Sequence, residues 1–462
     1  MSRYLLPLAL TAVSASVLPA TPAAGSVAAR SAGSPGLLSF PIVERRTFKG
    51  PATRRLRRRD DEATLYNATN VAYMIELGLG TPPQRVRVQL DTGSNELWVD
   101  PDCSTVSDAA SQSFCESVGT FNPDDSSTLV DSGVVTTLAY GRGQADIDYV
   151  LDSIAIPGVN GTSSTLKQAQ FGVAVSSQDA AVPICGVGYG KDFNLDYNNI
   201  IDEMALQGVT NSRAFSLALG SATSDDAREP VGDNIGNGIV VFGGVDTKKF
   251  AGPLYRYTNL PPQMDDPGEP WRYWVQMDSV GFTAAGKTTS KAYDGSSLPI
   301  VLDSGSSLSY LPQSVMDDLA KSFGVKAQDD GSLIVDCNAG DKGGYVDFTF
   351  GQLVVSVPLS DFIWEAEAGT CAVGALPSTD TTNLLGDSFL RSVYVLFDQD
   401  HQDIYMAQAA NCGSNEQVLS AAGSYNLTGE CTVQQKSAAV GLAPASAVAL
   451  LALVGVQALL LL

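Results

Sequence analysis

The sequence predicts an all-β fold of two related lobes. Three observations predict it. The 462 residues include 44 Gly and 23 Pro, and 44% hydrophobic against 17% charged residues, which suits a large core divided by many turns. Short alternating runs such as residues 71–77 and 86–90, bounded by Gly, Pro, Asn and Asp, read as strands, and the best helical signals are short, at residues 200–207 and 312–323. The third observation is a repeat. The apolar run 86–90 leads into Asp91-Thr92-Gly93-Ser94, and 298–302 leads into Asp303-Ser304-Gly305-Ser306. Each is followed by an apolar-apolar-Gly element, Ile184-Cys185-Gly186 and Leu384-Leu385-Gly386, 95 and 83 residues after its aspartate. One ordered pair of elements occurring twice implies a duplicated lobe, with lobes expected over residues 60–220 and 221–412.

Charge removes several classes of function. The chain carries 28 Lys+Arg against 50 Asp+Glu, a formal charge of −22, so a nucleic acid would be repelled. A single histidine, His401, rules out two-histidine metal motifs and leaves one residue for any Ser/His/Asp triad. It reads as a surface turn residue in Asp400-His401-Gln402-Asp403. The charge is also polarised: residues 1–59 hold ten basic side chains and one acidic one, and the rest hold 18 basic and 49 acidic, a net −31. A body this acidic loses self-repulsion as its carboxylates protonate, which suits work in acid.

Both ends read as addresses. Arg3, the apolar run 4–18 and Ala20, Ala23 and Ala24 match a secretory signal peptide over residues 1–24. Residues 25–59 read as a pro-segment ending at Arg54-Arg55-Leu56-Arg57-Arg58-Arg59, where the charge sign flips into Asp60-Asp61-Glu62 and a processing protease would cut. Residues 413–437 read as a linker. Residues 438–462 end on four leucines with no basic flank, so they fit a removed GPI signal better than a spanning helix. Ser437 is the first choice for attachment, and Gly423-Ser424 the second.

The repeated Asp-Thr/Ser-Gly-Ser motif carries the chemistry. Asp sits at a strand end, the hydroxyl residue bonds locally, and Gly permits the tight turn that brings each carboxylate to its twin. Two carboxylates in contact cannot both ionise, so the pair titrates as a unit. One member can take a proton from water while the other polarises a carbonyl, and this hydrolysis needs neither metal nor cofactor.

At these residues the chain resembles the pepsin-like aspartic proteases, over about residues 73–409. The motifs are Asp91-Thr92-Gly93-Ser94-Asn95-Glu96-Leu97-Trp98-Val99, Ile184-Cys185-Gly186-Val187-Gly188-Tyr189, Val301-Leu302-Asp303-Ser304-Gly305-Ser306-Ser307 and the stretch from Asn383 to Arg391. The resemblance implies that Asp91 and Asp303 are catalytic, that Thr92 and Ser304 brace them across the lobe interface, and that Ser94 and Ser306 bond the outer carboxylate oxygens. It also implies pseudo-twofold symmetry of the two lobes about a cleft, and a hairpin flap closing over substrate. Tyr140-Gly141-Arg142-Gly143, 49 residues after Asp91, is similar to that flap, with Trp98 behind it as partner to Tyr140 and the glycines letting the tip bend. Arg142 departs from the small or acidic residue usual there.

By the same resemblance Cys103 pairs with Cys115 and Cys337 with Cys371. Cys412 and Cys431 are open to pairing, which would leave Cys185 as a free, buried small hydrophobe. Sequons at Asn67, Asn160 and Asn426 are candidate glycosylation sites. Signal, pro-segment, protease and anchor together look like the yapsin-type surface aspartic proteases of fungi. The expected function is an endopeptidase acting in acid on protein or peptide substrates, as a monomer tethered through a GPI lipid to the plasma membrane or cell wall. Basic and large hydrophobic cleavage preferences both stay open. The competing class is a catalytically silent binding module, and its usual mark, loss of an aspartate or the flap tyrosine, is missing here.

Overall fold

The computed structural model describes residues 36–46, 71–104, 109–141, 143–157, 163–178, 182–220, 238–263, 269–367, 369–378 and 383–432. The signal peptide, the basic cluster 54–59, Asn67, Arg142, Asn160, Ser437 and the 438–462 tail lie outside the described residues. So does most of the pro-segment; of it, Leu38–Arg46 is a strand.

Strand after strand follows the alternation read from the sequence. In Gln84–Asp91, Val86, Val88 and Leu90 are wholly buried while Arg85 is exposed and Arg87 half-buried, so one face joins the core. A 14-stranded sheet runs through both halves. Its middle is Phe250–Thr258, Asp403–Ala409, Val393–Asp398, Ala214–Ala218, Gly238–Phe242, Leu38–Arg46 and Val71–Leu79, in that order. Smaller sheets complete the second half, and both lobes lie within one compact unit. Helices are few: Ile200–Leu206 and Gln313–Phe323 fall where the sequence signals them. Ala109–Val118, a third, gives no comparable apolar period and is tied down through Cys115.

The repeat is visible as two identical pairings. Gln84–Asp91 runs parallel to Ile184–Gly186, with Leu90 opposite Cys185 and Asp91 opposite Gly186. Leu298–Leu302 runs parallel to Leu384–Leu385, with Leu302 opposite Leu385. The glycine closing each partner is sterically required, because the loop after each aspartate threads directly past it. A Cβ on Gly186 would lie 2.3 Å from Glu96 N, and one on Gly386 2.3 Å from Leu308 O.

Aromatic packing joins the halves. Phe215 stacks on Phe397 at 4.9 Å between ring centroids, Tyr273 lies 4.3 Å from Phe397, and Tyr189 lies 5.3 Å from Tyr273. Asn194 adds a polar clasp, donating to Asn95 Oδ1 at 2.9 Å and Trp271 O at 2.8 Å and accepting from Trp271 N at 2.7 Å.

Three disulfides are formed, Cys103–Cys115, Cys337–Cys371 and Cys412–Cys431, and Cys185 is free and buried. The third corrects the linker reading of residues 413–437. Up to Cys431 this segment is docked: Glu416–Val418 pairs with Gly244–Asp246, Thr428–Glu430 pairs with the long strand Phe250–Thr258, and Leu419 is buried. Composition alone hides this, since only a few apolar side chains do the docking. His401 is an exposed turn residue, as the sequence indicates, and its Nδ1 sits 2.9 Å from Oδ2 of the buried Asp398.

Candidate active site

Asp91 ends its strand and Asp303 follows its own, so the two turns meet head-on at the interface. Gly93 N–H donates to Asp91 Oδ1 and Gly305 N–H to Asp303 Oδ1, each at 2.8 Å. Each glycine faces the opposite aspartate: a Cβ on Gly93 would fall 2.5 Å from Asp303 Cγ, and one on Gly305 2.3 Å from Asp91 Oδ1. Any side chain at either position would displace a carboxyl group.

Thr92 and Ser304, both buried, lock this contact. Thr92 N–H donates to Ser304 Oγ at 3.1 Å and Ser304 N–H to Thr92 Oγ1 at 2.9 Å. Each hydroxyl in turn donates across the interface, Thr92 to Leu302 O at 2.9 Å and Ser304 to Leu90 O at 2.7 Å. Four hydrogen bonds between two short side chains and the opposite backbone leave the carboxylates little freedom.

The outer serines break the symmetry. Ser94 Oγ–H donates to Asp91 Oδ2 at 2.5 Å, as the resemblance implies. Ser306 does not do the same for Asp303. Its hydroxyl donates to Leu308 O at 2.8 Å, because the chain turns back and offers a backbone acceptor inside the loop. The Asp303 carboxyl is held above the usual carboxylate range, first by the protein packed around it and second by Asp91 opposite. Gly305 N–H and the Arg272 guanidinium pull it the other way.

Tyr140 caps the hairpin of Val130–Ala139 and Gln144–Pro157, its N–H donating to Gly143 O at 3.0 Å. Its hydroxyl accepts from Trp98 Nε1–H at 2.7 Å. Burial, and then the charge of Asp91, push this phenol above its ordinary value. The two glycines differ: Gly143 has φ 79°, which only glycine adopts freely, whereas Gly141 is exposed with nothing near its Cβ position. Cys185, beside Gly186, has its thiol pushed up to about 12 by burial first and Asp91 second, so it stays protonated and inert.

Residues 72–409 match the family described as eukaryotic aspartyl protease. The chain belongs to this family. Among similar aspartic proteases is the protein named "Probable aspartic-type endopeptidase opsB" of Aspergillus oryzae, 30% identical over 404 residues, covering 83% of this chain and 78% of that one. Aspartic proteinase MKC7 of Saccharomyces cerevisiae is 30% identical over 431 residues, covering 77% and 69%. Aspartic proteinase yapsin-3 of the same yeast is 30% identical over 357 residues, covering 73% and 66%. The chain is therefore an aspartic endopeptidase of the two-lobed, all-β type, and it hydrolyses peptide bonds.

Two features of this aspartic protease have no role in the sequence reading. Glu96 lies inside the first motif, and its Oε2 accepts from the hydroxyls of both Tyr149 and Tyr197, the latter at 2.7 Å, bracing the strand that carries Trp98. Arg272 lies outside every motif, yet its charge pulls the Asp303 carboxyl down. The repeat could have flagged it, since it lies just before the strand paired with 298–302. Among the described residues no group of three or more His, Cys, Asp or Glu could hold a metal ion.

Proposed function

We propose that Asp91 and Asp303 are the catalytic pair, working on a water held between them. The observation that carries this is their mutual approach through two glycines that can bear no side chain. Asp303 keeps the shared proton, for burial pushes its carboxyl up, and Asp91, receiving Gly93 N–H and Ser94 O–H, is the carboxylate. Asp91 takes a proton from the water as its oxygen attacks the peptide carbonyl carbon, while Asp303 gives its proton to the carbonyl oxygen. Collapse of the tetrahedral diol breaks the C–N bond. The amine leaves with the proton Asp91 accepted, and Asp303 recovers its own.

Tyr140 and Trp98 form the flap pair over this centre, and Thr92 and Ser304 hold its geometry. In single-turnover cleavage in ¹⁸O-labelled water, the label should enter the new carboxyl directly, and added amines should not divert the product. Trapping of an acyl-enzyme would overturn the mechanism.

The same proposal extends to processing and place. We read the enzyme as made with a signal peptide (1–24) and a pro-segment (25–59) cut by a protease after the basic cluster. It is glycosylated at Asn67, Asn160 and Asn426, the last exposed in the structure, and tethered by GPI at Ser437 as a monomer that processes or turns over proteins at the cell surface. Similarity to Secreted aspartic protease 8 of Candida albicans, 32% identical over 344 residues, supports an extracytoplasmic site. Release of the enzyme from intact cells by a phosphatidylinositol-specific phospholipase, with a mature N-terminus close to Asp60, is the expected result. Retention after that treatment would argue against the tether.

A further inference from the structure

Arg272 is a cation in an acidic molecule, set beside the catalytic pair. The strand Trp274–Met277 pairs antiparallel with Leu298–Leu302, Trp274 lying opposite Val301. Leu302 N–H then bonds Tyr273 O at 3.0 Å, so the pairing continues one residue beyond the strand and brings Arg272 level with Asp303. The backbone there is held from both sides: Arg272 O accepts from Asn259 Nδ2 at 3.1 Å and from Trp274 N at 3.0 Å, and neighbouring Trp271 is clasped by Asn194 of the first lobe. From there the Arg272 charge pulls the Asp303 carboxyl down, against the larger effects of burial and Asp91.

The guanidinium is half-buried and incompletely satisfied. Arg272 Nε is buried without a hydrogen-bond partner, and among the described residues no carboxylate stands within ion-pair distance of the side chain. A buried donor left unpaired on a cation is costly, and a carboxylate is the group whose geometry completes it. The corresponding place in the first lobe is apolar. Met74 pairs with Gln89 there, so the residue level with Asp91 is the buried Ala72. The two ends of the cleft thus differ in charge at equivalent positions.

We propose that Arg272 is a specificity residue that binds an acidic side chain of the peptide substrate on the Asp303 side of the scissile bond. An extended substrate advances roughly 3.3 Å per residue, and an arginine spans about two such steps, so the residue read lies two or three positions from the cut. This preference adds to whatever the residues at the cut itself select, and it rests on the chain being an endopeptidase with Asp303 in its dyad.

The test is cleavage of peptides capped at both ends, with Glu, Gln and Lys placed in turn at each of the four positions on either side of one fixed cut. Wild type is compared with Arg272→Gln and Arg272→Glu. At one position wild type should prefer Glu over Gln by about tenfold or more in kcat/KM at pH 5 to 6, as a charge-assisted hydrogen bond allows. The ratio should fall to about one in Arg272→Gln and turn toward Lys in Arg272→Glu. Ratios do not depend on how much of a variant is folded. In wild type alone the Glu preference should grow as pH rises through about 4.3, where the substrate carboxyl ionises. Cleavage with no Glu preference at any position, or one unchanged in Arg272→Gln, overturns the proposal alone. No cleavage of any peptide by wild type overturns the endopeptidase reading and this proposal with it.

Discussion

Replacing Asp100 with Asn should remove about 2–4 kcal/mol of this enzyme's loss of stability between acid and neutral pH. Asp100 follows the strand Leu97–Val99, is 1% exposed, and has no hydrogen-bond partner on either carboxyl oxygen. Burial, and secondarily the charge of Asp102, raise its carboxyl from 3.8 to about 7. A carboxyl raised on folding exacts nothing below pH 3.8, where it is protonated in both states. It costs progressively more up to pH 7, and a constant amount above. Three pH units at about 1.36 kcal/mol each give an upper bound of about 4 kcal/mol. The isosteric amide never ionises, so Asp100→Asn should match wild type within about 1 kcal/mol at pH 3.5 and exceed it by about 2–4 kcal/mol at pH 7.5. Urea unfolding at both pH values, followed by tryptophan fluorescence, reads this directly. An Asp100→Asn protein whose stability falls between pH 3.5 and 7.5 as steeply as wild type would refute the reasoning.

Three further outcomes follow from the site. Ser94→Ala removes a donor to the Asp91 carboxylate and should move the acid limb of the kcat/KM profile to higher pH, whereas Ser306→Ala, whose hydroxyl serves Leu308 O, should leave that limb in place; equal shifts in both would contradict the asymmetry. Thr92→Ala strands Ser304 N–H and Leu302 O at a buried interface and should cost about 2–4 kcal/mol in unfolding experiments, with Thr92→Ser restoring most of it. Tyr140→Phe leaves Trp98 Nε1–H without its acceptor and should lower kcat/KM about tenfold while changing stability by less than about 1 kcal/mol.

What was legible in the sequence was local and repeated. The Asp-Thr/Ser-Gly-Ser turns and the apolar-Gly elements are short strings whose chemistry forces their spelling: Gly93, Gly305, Gly186 and Gly386 each stand where a Cβ would strike another chain segment. Features that depend on where distant segments meet were not legible. Ser306 closes the same Asp-Thr/Ser-Gly-Ser motif as Ser94, and only the path of the loop to Leu308 decides which acceptor it finds. Glu96 needs Tyr149 and Tyr197, 53 and 101 residues away, to become a brace. The docking of residues 413–431 rests on two short strand pairings, one disulfide and a few apolar contacts, which composition does not distinguish from a linker.

The most direct test of the central claim is cleavage of a broad peptide library from pH 3 to 7 by the processed enzyme, alongside Asp91→Asn and Asp303→Asn. The account predicts activity in acid that declines toward neutrality as the shared proton is lost, and a fall of at least about a hundredfold in each variant with folding intact. Cleavage at wild-type rates by either folded variant would contradict it.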